Sequence, residues 1–149
     1  MKSLLSVLAL SAALVLGGCA SGPKYSEVKT GIPTLAADKG RIWFYRSANM
    51  FGSGIQPSVM LNGEKVGDSV PGGFFFVDRA PGTDEVVLST EVDRKLTFTL
   101  DPGQERFVRM TVGLGVIVYR VYPELVERSQ ADAEIGDLSY IGTTALNKK

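Results

Sequence analysis

Histidine is absent from the chain, and cysteine occurs once, at Cys19. The first absence removes every Ser-His and Cys-His dyad, and the two together remove most metal sites. A single thiol also forbids an intrachain disulfide. An excess of charge of either sign is missing as well, since 16 Lys and Arg balance 16 Asp and Glu. A nucleic-acid binder needs a basic surface to neutralise phosphates, so that class of partner is set aside. Only 21% of residues are charged against 44% hydrophobic, which excludes a disordered polyelectrolyte. The length of 149 residues suits one domain and a short extra segment, not two domains of ordinary size. There is no internal repeat and no heptad pattern.

What is present begins with an address. Lys2 precedes an apolar run from Leu4 to Leu16. As a helix that run rises roughly 20 Å, short of the about 30 Å of a bilayer core, and suits a signal-peptide h-region. Leu16-Gly17-Gly18-Cys19 follows and resembles a bacterial lipobox, with an aliphatic residue at −3 and small residues before the Cys. The resemblance implies a signal peptide over residues 1–18, cleavage between Gly18 and Cys19, and acylation of Cys19. Ala20, rather than Asp, follows the Cys, which favours an outer-membrane lipoprotein with its domain in the periplasm; cell-surface display stays open. An oxidising compartment fits a chain with no spare thiol. Residues 19–40 are small, polar and broken by Pro23, Gly31 and Pro33, and are expected to be a flexible or extended tether. Ile32, Leu35 and Ala36 are the residues in it suited to pack back on the domain.

From Arg41 to Ile141 the chain reads as short β-rich runs separated by turn signals, the pattern of an all-β sandwich. Strands are expected at Arg41–Arg46, Pro57–Leu61, Lys65–Gly67, Phe74–Val77, Glu85–Glu91 and Lys95–Leu100. Two more are expected at Glu105–Val112 and Leu114–Tyr122, split at Gly113. Asn62-Gly63 is a hairpin signal, because both residues tolerate positive φ. In Lys95–Leu100, Leu96, Phe98 and Leu100 alternate with Lys95, Thr97 and Thr99, as in an antiparallel sheet with one wet face. One helix is expected at Gln130–Leu138, with Ser129 as its cap, and residues 142–149 form a polar tail.

Several of these segments resemble a family of bacterial lipoproteins, domain-of-unknown-function family twenty-eight forty-six. They are Arg41–Arg46, the P-x-V-x-L-N-G-x-x-V-G run from Pro57 to Gly67, Gly73–Val77, Pro81-Gly82, Glu105–Met110 and the late segment Glu124–Gly142. The likeness extends over Ile32 to Gly142. The V-x-L-N-G part is also similar to PEGA-type domains. These resemblances imply a mostly all-β, antiparallel, prealbumin-like or PEGA-like sandwich of about seven strands with one short C-terminal helix. Neither family brings catalytic residues or a cofactor, and fold alone does not carry activity.

The residues themselves offer no catalytic set. Asp84-Glu85 and Glu91 with Asp93 sit beside turns and read as solvated carboxylates. Ser3 and Ser26 lack the context of a Ser-Lys hydrolase. Arg41, Arg46, Arg106, Arg109 and Arg120 lie on expected strands, as cross-strand partners of carboxylates or as an anion patch. Aromatics are in surplus: Trp43-Phe44-Tyr45 and Phe74-Phe75-Phe76 are apolar on both faces, whereas a sandwich strand buries one. The outer face is covered by the C-terminal helix, docks a partner, or meets lipid. Trp43 and Tyr45, with Met50 and Phe51 of the following loop, form the candidate contact surface. The expected function is a lipid-anchored, non-catalytic interaction or scaffolding module without metal or cofactor. Its expected partners are the membrane and another envelope protein. Binding of an envelope ligand such as peptidoglycan, a glycan or a lipid is the alternative.

Overall fold

The computed structural model describes residues 18–146. The expected signal segment up to Gly17 and the last residues of the tail lie outside them. Nine strands form: β1 (Gly40–Tyr45), β2 (Ser58–Leu61), β3 (Glu64–Asp68), β4 (Gly73–Arg79), β5 (Gly82–Ser89), β6 (Asp93–Leu100), β7 (Glu105–Leu114), β8 (Tyr119–Val126) and β9 (Ser139–Tyr140). A short helix, α1 (Tyr25–Val28), runs into a 3₁₀ turn at Lys29–Gly31, and α2 (Arg128–Ile135) precedes β9.

Two sheets pack face to face, one ordered β8-β7-β1-β4-β9 and the other β3-β2-β5-β6. The sandwich expectation holds at this level, but the described residues form nine strands instead of about seven, and the first sheet is mixed. β1 runs parallel to β7, and β4 parallel to β9. The cause is the route of the chain. It leaves the first sheet after β1, builds the β2–β3 hairpin in the second, and returns as β4. It leaves again for β5 and β6 before β7 enters beside β1 in the same direction.

The core follows from strand alternation. Phe44 stacks on Phe75 at 5.0 Å between the sheets, with Ile42, Val59, Leu61, Val86, Leu88 and Leu100 buried around them. Gly67 is needed there, because a Cβ would come within 2.5 Å of the Phe75 ring. The Asn62-Gly63 turn adopts φ of 50° and 84°, the left-handed pair expected of a tight hairpin.

The outer face of the first sheet is dry as well. Trp43 stacks on Phe107, Phe74 lies beside Tyr140, and Tyr25 sets its ring edge-on to both Trp43 and Phe74. Ala131 and Ile135 of α2 are buried over this layer, and Tyr45 donates its hydroxyl hydrogen to Glu134 at 2.7 Å. Helices over two sheets make three layers.

The segment expected to be a tether is therefore part of the domain. Val28 is fully buried. The Ala20 N–H donates to Pro71, Tyr25 to Leu138, and Tyr140 back to Pro23. The prolines and glycines suggest loose chain, but Tyr25 and Val28 fall on one face of a single helical turn and close the aromatic layer. Two further boundaries move. α2 starts at Arg128, with Glu127 as its N-cap, so Ser129 lies inside the helix and caps nothing. Strand β7 runs straight through Gly113, where a Cβ would meet the Tyr122 ring at 2.7 Å. That glycine permits a close approach instead of a turn.

Candidate functional site

The reversal between β7 and β8 falls at Gly115–Val118, closed by the Gly115 N–H donating to Val118. β1 ends in register with Arg109, and β7 continues from there to Leu114. At about 3.3 Å per residue the hairpin runs roughly 16 Å past the end of β1. The run from Met110 to Tyr119 contains no charged residue.

Three other segments reach the same end of the sandwich. The loop 47–56 leaves β1, the β5–β6 turn carries Glu91 and Val92, and Gly18–Ala20 enters the domain. Of the eight large hydrophobic side chains exposed among the described residues, all but Leu125 lie here. Met50, Leu114, Val116 and Ile117 expose 79–90% of their surface, with Phe51, Val92 and Val118 beside them. Monomeric domains rarely gather exposed apolar side chains this way without a use for them.

Each piece is held in place. The Phe51 ring lies 6.3 Å from Tyr119, and Gly52, at φ 66°, brings its backbone against Val112 and Tyr119 where a side chain would collide. Beneath the loop lies Arg46, almost fully buried, whose guanidinium donates to the carbonyls of Ile55 (2.7 Å), Ser69 (2.8 Å) and Gly52 (2.8 Å). Burial pulls its pKa below the ordinary arginine value. This residue binds neither a carboxylate nor an exposed anion; it staples the loop to the segment before β4. Gln56 donates from one amide nitrogen to Ser53 and to the Gly18 carbonyl at 2.9 Å, so Cys19 emerges beside the loop. The Cys19 thiol is free and exposed.

Glu91 reads in the sequence as a solvated carboxylate, but it closes the hairpin tip. One carboxylate oxygen accepts from the N–H groups of Ile117 (2.6 Å) and Val118 (2.8 Å), the other from Val116 (3.1 Å) and the Arg120 guanidinium (2.7 Å). The Val118 and Ile117 N–H groups, with help from Arg120, hold the Glu91 pKa down to about 2. The tip thus has three backbone donors satisfied internally and a carboxylate balanced by its own arginine.

Trp43 and Tyr45 do not belong to this surface. Both are buried, so half of the expected contact surface is corrected to core, and only Met50 and Phe51 stay exposed. The Trp43 indole N–H donates to Glu105 at 3.0 Å, and burial together with Glu134 pushes the Tyr45 hydroxyl pKa upward. Of the other expected strand arginines, Arg106 donates only to the Thr99 carbonyl at 3.1 Å, and Arg41, Arg109 and Arg120 are paired with carboxylates. Arg41 pairs through two nitrogens with Asp78 at 2.6 and 2.7 Å, and Arg109 bridges Glu124 and Glu134. Asp84 is buried against Arg79 and Asn62, not solvated. The hairpin tip escapes sequence reading because Val116-Ile-Val118 is β-branched and looks like strand. Its signal is the flanking Gly113-Leu-Gly115 followed by apolar residues with no polar alternation.

An open depression of about 270 Å³ lies below the loop, lined by Arg46, Ser47, Asn49, Arg109, Thr111 and Val112. It falls under the size range of enclosed ligand sites. Among the described residues no cluster of three His, Cys, Asp or Glu could hold a metal ion, and no helix is long and apolar enough to cross a membrane. No curated protein and no solved structure matches the chain. A family model does match, over residues 36–121, from the turn before β1 to the middle of β8, leaving both helices outside. That span is more than half of the chain, and the chain belongs to the family described as Protein of unknown function (DUF2846).

Proposed function

We propose that this protein is a lipid-anchored module of the bacterial envelope, held at Cys19 on the outer membrane with its domain in the periplasm. It works by binding through the apolar end of the sandwich and has no catalytic role. The observation that carries the reading is the gathering of exposed apolar side chains on the end where Cys19 emerges. Covering a side chain of this class contributes about 1.5–3 kcal/mol. Five of them supply on the order of 10 kcal/mol before the costs of association. Anchoring confines the domain to one surface, so weak contacts suffice. The glycan reading has less support, because Arg41, Arg109 and Arg120 each face a carboxylate of the same chain.

The test is photo-crosslinking in intact cells, with a photoreactive side chain placed at Phe51, at Ile117 or at Glu64 on the opposite hairpin. Adducts are expected at the first two positions and not at the third. Equal labelling of all three, or none at the apolar end, contradicts the reading.

A further inference from the structure

We infer that the occupant of the apolar end is the bilayer itself: the hairpin tip and the Met50-Phe51 loop insert into the leaflet that holds the acyl groups on Cys19. This rests on the lipid-anchored reading above and names its partner.

Three observations select lipid over a protein. The first is charge. The loop 47–56 and the run 110–119 contain no charged residue, Glu91 and Arg120 cancel one another, and the charges that remain at this end, Asp93 and Arg94, lie at the base of the β5–β6 turn, where Arg94 packs on the Tyr122 ring. A surface for a soluble partner carries a polar rim that sets register, whereas hydrocarbon asks only that charge be absent. The second is the backbone. An N–H group taken out of water without a partner costs free energy, which keeps most open loops out of lipid. Here the N–H groups of Val116, Ile117 and Val118 already donate to Glu91, so the tip can leave water without stranding them. The third is placement. Gly18 is hydrogen-bonded to Gln56 and Ala20 to Pro71, so acyl groups on Cys19 start beside the loop and not at the end of a long leash. The hairpin runs roughly 16 Å past the end of β1, and the β5–β6 turn reaches its tip through Glu91, so tip and turn enter together the about 5–10 Å that separates the surface from the boundary of headgroups and acyl chains.

The full-length acylated chain, carrying Ile117→Cys or Glu64→Cys, is labelled with an environment-sensitive fluorophore. It is then reconstituted into phosphatidylcholine vesicles containing nitroxide-bearing lipids. Because acylation occupies Cys19, the introduced thiol is the labelled one. The label at 117 is expected to shift to the blue and lose most of its emission to shallow nitroxides, while the label at 64 keeps its emission. An unquenched label at 117 on an acylated chain overturns insertion; if a crosslinker at 117 then captures an envelope protein, the binding end stands and its partner is protein. Equal quenching at 117 and 64 also overturns insertion, since the whole domain would then lie on the surface. An intact mass showing Cys19 without acyl groups overturns the anchor and this inference with it.

Discussion

Arg46→Met tests how the apolar end is built. The side chain keeps its stem but loses three charge-assisted hydrogen bonds, to Gly52, Ile55 and Ser69. Gly52 and Ile55 sit in a surface loop and can turn their carbonyls toward water. Ser69 is fully buried and cannot, so its carbonyl bears the whole loss. A hydrogen bond to a charged group is worth about 1.5–3 kcal/mol, and a stranded buried acceptor costs about 1–3 kcal/mol. Part of this is returned, because the buried charge no longer has to be desolvated. A net destabilisation of about 3 kcal/mol follows, which for a domain of this size lowers the thermal midpoint by roughly 10 °C. Thermal unfolding of the full-length chain in detergent reads the first effect. Hydrogen exchange reads the second: the Ile55 amide, which donates to Gly52, should lose protection first. A midpoint within about 2 °C of the parent, with Ile55 still protected, refutes the staple.

Gly63→Val forces a branched side chain into φ 84° and should cost roughly 1–2 kcal/mol in denaturant titration, with no loss of crosslinking at the far end. Tyr45→Phe removes the hydrogen bond to Glu134 in the core and should cost about 1 kcal/mol, again without touching crosslinks. Cys19→Ala should release the chain from outer-membrane fractions, checked by fractionation and intact mass. Acid should also weaken the fold. Glu91, Glu105 and Glu134 all have folded pKa values below 4.5, so the unfolded chain takes up their protons first. Their contribution is complete above about pH 5 and fades as pH falls through the folded values, near 2 for Glu91. Thermal midpoints measured from pH 6 to pH 2 should fall, and Glu91→Gln should flatten the lower part of that curve.

Local chemistry made most of the sandwich legible. Asn62-Gly63 announced its hairpin, Lys95–Leu100 alternated as a half-buried strand does, and the apolar doubles at Trp43 and Phe74 called for a cover of helix, partner or lipid, of which the fold supplies the helix. What stayed hidden depends on partners distant in sequence. β9 has two residues and exists because Ser139 and Tyr140 pair with Gly73 and Phe74. Nothing local shows that Tyr25 will be drawn onto Trp43, so its segment reads as spacer. The site divides the same way. Met50 and Phe51 stood out as apolar residues between small ones. The role of Glu91 needed the fold, because its partners are backbone N–H groups on another hairpin and backbone leaves no sequence mark.

The docking of the N-terminal segment has a kinetic side. Lys24 bridges to Ser139 and Tyr25 to Leu138, so the first and last parts of the domain lie side by side. β1 likewise waits for β7, its parallel neighbour, which follows every strand of the second sheet. Contacts between remote parts of a chain form late and slowly, since loop closure must precede any gain. The β2–β3 and β5–β6 hairpins can form early, but the aromatic layer cannot close until the last residues of the domain arrive. A chain of this topology resists premature folding as it emerges from the ribosome. That delay suits the proposed export, because a polypeptide that must cross a membrane as an open thread has to reach the far side before its two ends meet.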